Sequence, residues 1–492
     1  MKFNRFSTVA LLAFLAGGCA GLPSVGPDYH QPETKAPTQW SEPLAGGETN
    51  SAAKTAAWWK NFHDAELDSL ITRAVNSNLD LRIAQSRVGE ARAQYSGASA
   101  DLWPTVNGGG AFNRWRQSEH QPVLGSMPIP PGTPFDGNVY QAGFDASWEI
   151  DVFGGKRRAV EAAKARLAGT EFGERDVLVS LLGEVARNYV DLRGYQSRLA
   201  IANENIHAQE RSLAITQNRF TNGLATDLDV QQAKTVLAST RADVPTLESA
   251  IQTTTHRLEV LLGQQPGTLQ AELATVAPIP AQPPQVPVGL PSELLLRRPD
   301  VSRAERQLAA ATANIGVAKS DLFPKFYLTG AAGSESISSS DWFTSGSRFW
   351  SFGPTVQWRI FDAGRIRANI KVKTAQQEQA LTAYEQTVLT AFAEVEDNLV
   401  LYAMEQVRRR SLEDAVVASR KTLNTANKLY ANGLTDFIQV LDAERSLYHA
   451  QDALAQSDRT ISANLIALYK SLGGGWETVA PSAALASAET AK

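Results

Sequence analysis

Two stretches of the chain alternate strictly between apolar and polar side chains. Residues 140–152 are apolar at the even positions and polar or small at the odd positions, and residues 350–360 repeat this pattern. A period of two predicts a β-strand with two different faces. A strand that crosses a membrane between lipid and water has this pattern. An antiparallel sheet with one solvated face has it too.

A long segment without proline follows each alternating stretch, and each segment is predicted to be one helix. The segments span residues 155–220 and 364–430, and each helix would be about 100 Å long at 1.5 Å per residue. Apolar residues recur at every seventh position in the second segment, at Leu381, Val388, Val395 and Tyr402. A repeat of seven predicts left-handed supercoiling against neighbouring helices.

Each long helix is predicted to end at an Asn-Gly pair, because glycine adopts the left-handed conformation that closes a helix. The two glycines are Gly223 and Gly433. Apolar spacing beyond them predicts return helices over residues 226–262 and 436–472.

The two halves of the chain are similar in sequence. Residues 78–104 match residues 298–324 at an offset of 220, and the Asn-Gly-Leu triplets match at an offset of 210. The difference in offset falls between the strands, in loops whose length varies freely. The chain is therefore predicted to contain two structural repeats, each in the order helix, strand, strand, long helix, helix.

The predicted organisation has six parts. They are a signal peptide at 1–18, an extended lipid-anchored tether at 19–57, a first repeat at 58–276, a proline-rich strap at 277–291, a second repeat at 292–475 and a disordered tail at 476–492. The predicted strands cover residues 104–115, 139–152, 324–334 and 349–361.

The chain contains one cysteine, Cys19, so no intrachain disulfide can form. Lys2, Arg5 and a short apolar run precede it, which is typical of a secretory signal. The small residues before Cys19 resemble a bacterial lipobox and imply that Cys19 becomes the lipidated first residue of the mature protein. A plain signal peptide is the alternative. Ala20, and not Asp, follows Cys19, which by resemblance to lipoprotein sorting rules favours the outer membrane over the inner membrane.

Charge and hydropathy limit the functions that the chain can have. Removal of residues 1–18 takes away Lys2 and Arg5 and no acidic residue, which changes the net charge from −4 to −6. A mildly acidic chain without basic clusters is not typical of nucleic-acid binding. No later segment has the roughly twenty consecutive apolar residues of a transmembrane helix, so any membrane crossing is predicted to use the strands.

Four strands per chain cannot close a membrane barrel. Bacterial barrels have at least about eight strands, and an open edge leaves backbone groups unsatisfied in lipid. A dimer would supply eight strands around a lumen filled with side chains, and a trimer would supply twelve around water. The polar residues Asp145, Glu149, Asp151 and Gln357 favour the trimer.

The sequence contains no enzymatic constellation. The six histidines lack metal-ligand spacing, and Gly154-Gly155-Lys156 lacks the upstream glycine of a phosphate-binding loop. We therefore expect no catalysis, no cofactor and no metal site.

Several motifs are informative in combination. They are Leu102-Trp103-Pro104, Leu322-Phe323-Pro324, Asp362-Ala363-Gly364-Arg365, Tyr430-Ala431-Asn432-Gly433-Leu434 and Val440-Leu441-Asp442-Ala443-Glu444-Arg445. This combination resembles the TolC-like outer membrane efflux proteins, specifically the lipoprotein branch that serves drug exporters of the RND type. The resemblance implies a homotrimer with a twelve-stranded β-barrel in outer membrane lipid and a long α-helical barrel in the periplasm of a Gram-negative bacterium. It also implies two protein partners, a periplasmic adaptor and an inner-membrane RND-type pump.

The candidate functional residues lie next to the two Asn-Gly turns. The resemblance implies that Gly223, Leu224, Gly433 and Leu434 form the periplasmic tip and contact the adaptor.

The candidate gate residues are Asp227, Asp229 and Asp436. Threefold symmetry would turn an inward carboxylate into a ring that holds cations and controls the lumen. Helix capping is the alternative for Asp227 and Asp436.

Arg219, Tyr430, Asp442 and Arg445 are candidate interhelical contacts that keep the tip closed. Plain packing at a heptad position is the alternative for Tyr430.

The predicted function is the passive outer membrane exit duct of a tripartite efflux system for drugs or other small toxic molecules. One alternative is the exit duct of a type I system that secretes proteins. Another is a lipid-anchored periplasmic scaffold of coiled coils, in which the strands form a soluble sheet.

Overall fold

The computed structural model describes residues 23–33, 36–42, 48–49, 56–116, 136–280 and 286–478. The predicted signal peptide, Cys19 and residues 479–492 of the predicted tail lie outside the described residues. The chain forms two compact units. The first includes residues 89–168 and 305–382, and the second includes residues 33–88, 169–304 and 383 onwards.

Long α-helices dominate both repeats. The helices of the described residues are α1 (Ala65–Ser77), α2 (Leu79–Ala100), α3 (Gly155–Thr221), α4 (Asp227–Leu261), α5 (Gln270–Leu273), α6 (Pro291–Arg297), α7 (Pro299–Ser320), α8 (Arg365–Ala431) and α9 (Phe437–Ser471). Helices α3 and α8 each contain 67 residues, and α4 and α9 each contain 35. Equal lengths in equivalent positions confirm the duplication. In this part of the chain no helix combines the length and the apolar content that crossing a membrane requires.

Four strands of the first unit form an antiparallel sheet. The strands of the described residues are β1 (Glu48–Thr49), β2 (Thr105–Arg116), β3 (Asp136–Ile150), β4 (Val286–Pro287), β5 (Lys325–Ser336) and β6 (Arg348–Gln357). The sheet order is β2-β3-β5-β6, so the central pair joins strands from different repeats. Strands β2 and β6 are its edges.

Equivalent tryptophans make equivalent contacts where each repeat leaves the sheet. The indole nitrogen of Trp148 donates to the carbonyl of Leu102 at 2.9 Å, and that of Trp358 donates to the carbonyl of Leu322 at 3.1 Å. The duplication therefore extends from the sequence to tertiary hydrogen bonds.

The core of the second unit is organised around the aromatic 3-10 helix Trp58–Phe62. Trp58 is 1% exposed, and its ring stacks on Tyr469 with centroids 5.3 Å apart. Asp64 follows this helix and caps α1 by accepting from the backbone amides of Glu66 and Leu67, each at 3.0 Å. The Tyr189 hydroxyl also donates to Asp64, and burial is the main cause that raises the pKa of Tyr189 to about 12.

The tether and the tail contact this core more than their composition predicts. The buried indole of Trp40 donates to the carbonyl of Gly289 at 2.9 Å, and β1 pairs in parallel with β4 of the predicted strap. Trp476 begins a short 3-10 helix, and its indole donates to the carbonyl of Arg297 at 3.1 Å. The predicted disorder is therefore wrong for residues 476–478. Buried or half-buried tryptophans anchor both segments. The prediction rested on the content of proline and small residues and did not take these tryptophans into account.

Candidate functional site

The four-stranded sheet has one apolar face. Phe144 of β3 lies opposite Gly108 of β2 and Ala332 of β5, and these residues share a face with Trp350 of β6. The side chain of Phe144 is 67% exposed. The other exposed large apolar side chains on this face are Val106, Phe112, Leu328, Trp350, Phe352 and Val356. A continuous apolar surface of this kind indicates contact with lipid or with protein.

The opposite face of the sheet is polar. Asp145 accepts a hydrogen bond from the side-chain amide of Asn107 at 2.9 Å. Ser147 lies opposite Thr105 on one side and Thr329 on the other. Both faces have the chemistry that the alternation predicts, and the polar face is suited to water.

The two helix-to-helix turns have the same geometry. The amide of Leu224 donates to the carbonyl of Arg219 at 2.8 Å, and the amide of Gly223 donates to the carbonyl of Phe220 at 2.9 Å. Leu434 and Gly433 make the matching bonds at 2.9 and 3.0 Å. The glycines have φ of +71° and +69°, as this Schellman closure requires. Leu224 and Leu434 are thereby left exposed at the turns.

Among the candidate gate acids of the first turn, Asp229 is engaged in a capping box. Its backbone amide donates to Thr226 Oγ1 at 3.2 Å, and its carboxylate accepts from the Thr226 amide at 2.8 Å. Asp227 is exposed and accepts from the side-chain amide of Gln231 at 3.1 Å. Capping therefore applies to Asp229. The Thr-x-x-Asp spacing is the sequence signal that indicates it.

Asp436 is placed differently from Asp229. It stands immediately before α9, and its side chain makes no capping hydrogen bond. The carboxylate is exposed and lines a groove of about 810 Å³ together with Lys421, Thr435 and Gln439. Asp436 is the N-cap residue of α9 without a capping hydrogen bond, so the capping alternative is left with the interaction between its charge and the helix dipole.

The structure brings together two of the four candidate interhelical residues. Arg219 Nη1 donates to the carbonyl of Tyr430 at 3.0 Å, and its guanidinium lies 4.4 Å from the centre of the Tyr430 ring. The Tyr430 ring also packs against Phe437 with centroids 5.2 Å apart. Asp442 and Arg445 are exposed, and in the described part of the chain neither side chain makes a hydrogen bond or ion pair.

One acid near the two turns, Glu444, is buried, whereas the candidate gate residues Asp227 and Asp436 are exposed. Glu444 is 4% exposed and accepts a hydrogen bond from the Ser212 hydroxyl. Burial raises the pKa of its carboxyl group, and the Ser212 hydrogen bond opposes this in part. The sequence presents Glu444 only as one letter of a motif, because its burial depends on packing between helices.

The sequence pattern of the outer membrane efflux protein family matches residues 70–264 and 290–474. The chain belongs to the outer membrane efflux protein family. It is 34% identical over 475 residues to the cation efflux system protein CusC of Escherichia coli O6:H1, covering 95% of this chain and 98% of that protein. It is 33% identical over 482 residues to the probable outer membrane lipoprotein SilC of Salmonella typhimurium, covering 97% and 99%. The solved structure of the outer-membrane channel OprN aligns with a TM-score of 0.85 and 36% identity, over 92% of this chain and 99% of OprN.

Membership of the outer membrane efflux protein family decides the main predictions. The fold of long helices with a β-sheet, the location in the outer membrane and the function as an efflux channel are confirmed, and the chain is a channel rather than an enzyme. The trimer stays a prediction. Proteins of this family work with an adaptor and an inner-membrane pump in tripartite systems. The roles of the tip residues and of Cys19 stay predictions.

Proposed function

We propose that three copies of the chain form one duct and that each copy contributes four strands to a twelve-stranded barrel. The open sheet carries this proposal, because in the described residues β2 and β6 each pair with a single neighbour. In lipid such edges leave amides and carbonyls unsatisfied, so the edges of neighbouring copies must pair. Twelve strands leave room for water, and the polar face would line that lumen.

We further infer that the duct receives its cargo from an RND-type pump through a periplasmic adaptor. Leu224 and Leu434 are exposed apolar side chains at the ends of the two turns, and they support an adaptor contact at this place. The cargo is drugs or other small toxic molecules. A type I duct for secreted proteins is the alternative, and lipidation at Cys19 favours the efflux system.

We propose that Asp436 and Asp227 form the periplasmic gate. Both carboxylates are exposed at the start of a return helix. Asp229 is assigned to capping instead, because its carboxylate already accepts from Thr226. The Arg219 contact with Tyr430 supports a closed tip, because it ties the last turn of α3 to the last turn of α8.

Replacing Asp436 with alanine is expected to raise the conductance of the purified protein in planar lipid bilayers. The change removes the carboxylate that each copy would contribute to the gate ring and with it the hold of the ring on cations. A loss of about 1.4 kcal/mol from the closed state would raise the ratio of open to closed channels about tenfold. Single-channel recordings at neutral pH measure this ratio.

Two further variants make this experiment specific. Asp229→Ala is expected to weaken the start of α4 by about 1 kcal/mol and to leave the conductance unchanged. If Asp442→Ala raises the conductance and Asp436→Ala does not, the gate lies at Asp442 instead. If the wild-type protein and all variants fail to conduct, the duct itself is contradicted.

A further inference from the structure

Helix α3 carries polar side chains at every seventh position that bond across to the second hairpin. These positions are Asp191, Arg198, Asn205, Ser212 and Arg219. Their partners, in the same order, are Arg459, Asp452, Gln451 and Glu444 of α9 and the carbonyl of Tyr430 of α8. We call this set the polar ladder and each pair a rung.

The rungs at Arg198 and Asn205, which precede Ser212 along α3, have ordinary hydrogen-bond geometry. The guanidinium of Arg198 contacts both carboxylate oxygens of Asp452, at 2.7 and 3.2 Å. The side-chain amide of Asn205 donates to the side-chain oxygen of Gln451 at 3.0 Å. Polar contacts between side chains of α3 and α9 therefore recur at an interval of seven residues along α3.

A polar ladder differs from an apolar interface in the free energy that is needed to separate its helices. Polar side chains at one heptad position fix the register of paired helices. A neutral hydrogen bond contributes little net free energy because water can replace the partner, and the ion pairs of Arg198 and Arg459 are partly exposed, so solvent screens them. An interface with such rungs aligns the helices when closed and separates into water at low cost.

The Ser212 rung differs from the others in its acid: Glu444 is buried, whereas Asp191 and Asp452 of other rungs are only partly buried. Glu444 Oε1 accepts from the Ser212 hydroxyl, and Glu444 Oε2 has no hydrogen-bond partner among the described residues. Gln209 lies three residues before Ser212 on the same face of α3. It is 3% exposed, and in the described structure neither atom of its side-chain amide has a partner. An ionised carboxylate in such a place is costly, so the closed arrangement favours the neutral acid.

The titratable groups that adjoining helices carry at this level do not compensate Glu444. They are His207, Glu210, Arg211 and Arg219 on α3, Lys234, Arg241 and Asp243 on α4, Arg420, Lys421 and Tyr430 on α8, and Asp442, Arg445, Tyr448 and His449 on α9. Glu210 is paired with Arg241 at 2.6 Å, and Asp243 accepts from the Tyr448 hydroxyl at 2.8 Å. In the described residues only Ser212 bonds to the Glu444 side chain.

We propose that the polar ladder is the seam along which α3 and α9 part when the tip opens, and that Glu444 makes this opening depend on its proton. The proposal rests on the proposed duct and its closed tip. In the closed state Glu444 is a neutral acid bonded to Ser212. When the seam parts, the carboxyl group meets water and releases its proton to the solvent.

The sign of the pH dependence follows from the raised pKa of Glu444 in the closed state. Below the ordinary pKa of a glutamic acid both states hold the proton, and pH does not change their ratio. As pH rises from the ordinary pKa towards the raised pKa, the carboxyl group ionises only in the open state, so opening increases, and above the raised pKa the ratio is constant again. Each unit by which burial raises the pKa changes the ratio of open to closed channels by about tenfold.

Conductance of the purified full chain in planar bilayers, recorded from about pH 5 to about pH 8, tests the proposal. Wild-type conductance is expected to rise with pH, and Glu444→Gln is expected to keep the acid-level conductance throughout, because glutamine is a neutral isostere. Ser212→Ala is expected to move the midpoint to higher pH, because the lost hydrogen bond lowered the pKa of Glu444. Glu204→Gln is the matched control, since Glu204 is exposed on α3 and should leave the profile unchanged.

The outcomes separate this proposal from the duct itself. A Glu444→Gln channel that conducts and follows the wild-type pH profile contradicts the role of Glu444, and so does a wild-type channel without pH dependence. If Glu444→Gln does not assemble, the direction of the Ser212→Ala shift decides. Absence of conductance in the wild type at every pH contradicts the proposed function instead.

Discussion

Replacing Phe144 with lysine is expected to prevent assembly of the chain in the outer membrane. Phe144 lies near the middle of β3, on the apolar face and beside two paired strands. A lysine at the centre of the lipid face costs about 2–4 kcal/mol per copy, and three copies in one barrel would cost about 6–12 kcal/mol. The measurement is the fraction of protein that resists extraction from lipid vesicles after refolding.

Ser147→Lys is the matched control for this prediction, because Ser147 lies on the polar face of the same strand. It is expected to insert as the wild type does. Equal insertion of Phe144→Lys and Ser147→Lys would show that the apolar face does not contact acyl chains.

Replacing Trp58 with alanine is expected to lower the free energy of unfolding by about 3–5 kcal/mol, the usual cost of removing a large buried aromatic side chain. The indole stacks on Tyr469 and makes edge contacts with Trp59 and Phe62, with centroids 5.8 and 6.3 Å away. The midpoint of denaturant unfolding in detergent, followed by circular dichroism, checks this value.

Trp58→Phe is the matched variant, because phenylalanine keeps the ring stack on Tyr469 and leaves a smaller cavity. It is expected to lose less than half as much stability as Trp58→Ala. A Trp58→Ala protein with the wild-type midpoint would contradict the assignment of this aromatic cluster as the core.

The long helices and the faces of the strands were predictable because their signals are local. The segment without proline at 155–220 became α3 (Gly155–Thr221), and the Asn-Gly pair closed it at Gly223. The alternation in residues 140–152 assigned each side chain to a face. Alternation does not name neighbours, however, and the pairing of β3 with β5 across the repeats came from the structure alone.

Contacts between distant helices were harder to predict at the tip. The sequence singled out Asp229 as a gate acid, and its role in the capping box was visible only in the spacing from Thr226. The polar ladder was also present in the sequence, as polar residues at intervals of seven along α3. Polar residues on a helix are usually interpreted as solvent-exposed, so their regular spacing does not by itself predict an interface. The burial of Glu444 could be known only once α3 and α9 were placed together.

In the assembled duct the sheet is expected to have one face toward lipid and one toward water. Fluorophores attached to single cysteines at successive positions 144–148 of β3 test it most directly, with brominated lipids and aqueous iodide as the two quenchers. We expect quenching by brominated lipids at positions 144, 146 and 148 and quenching by iodide at positions 145 and 147. Equal quenching at neighbouring positions, or protection of all five from the lipid quencher, would contradict it.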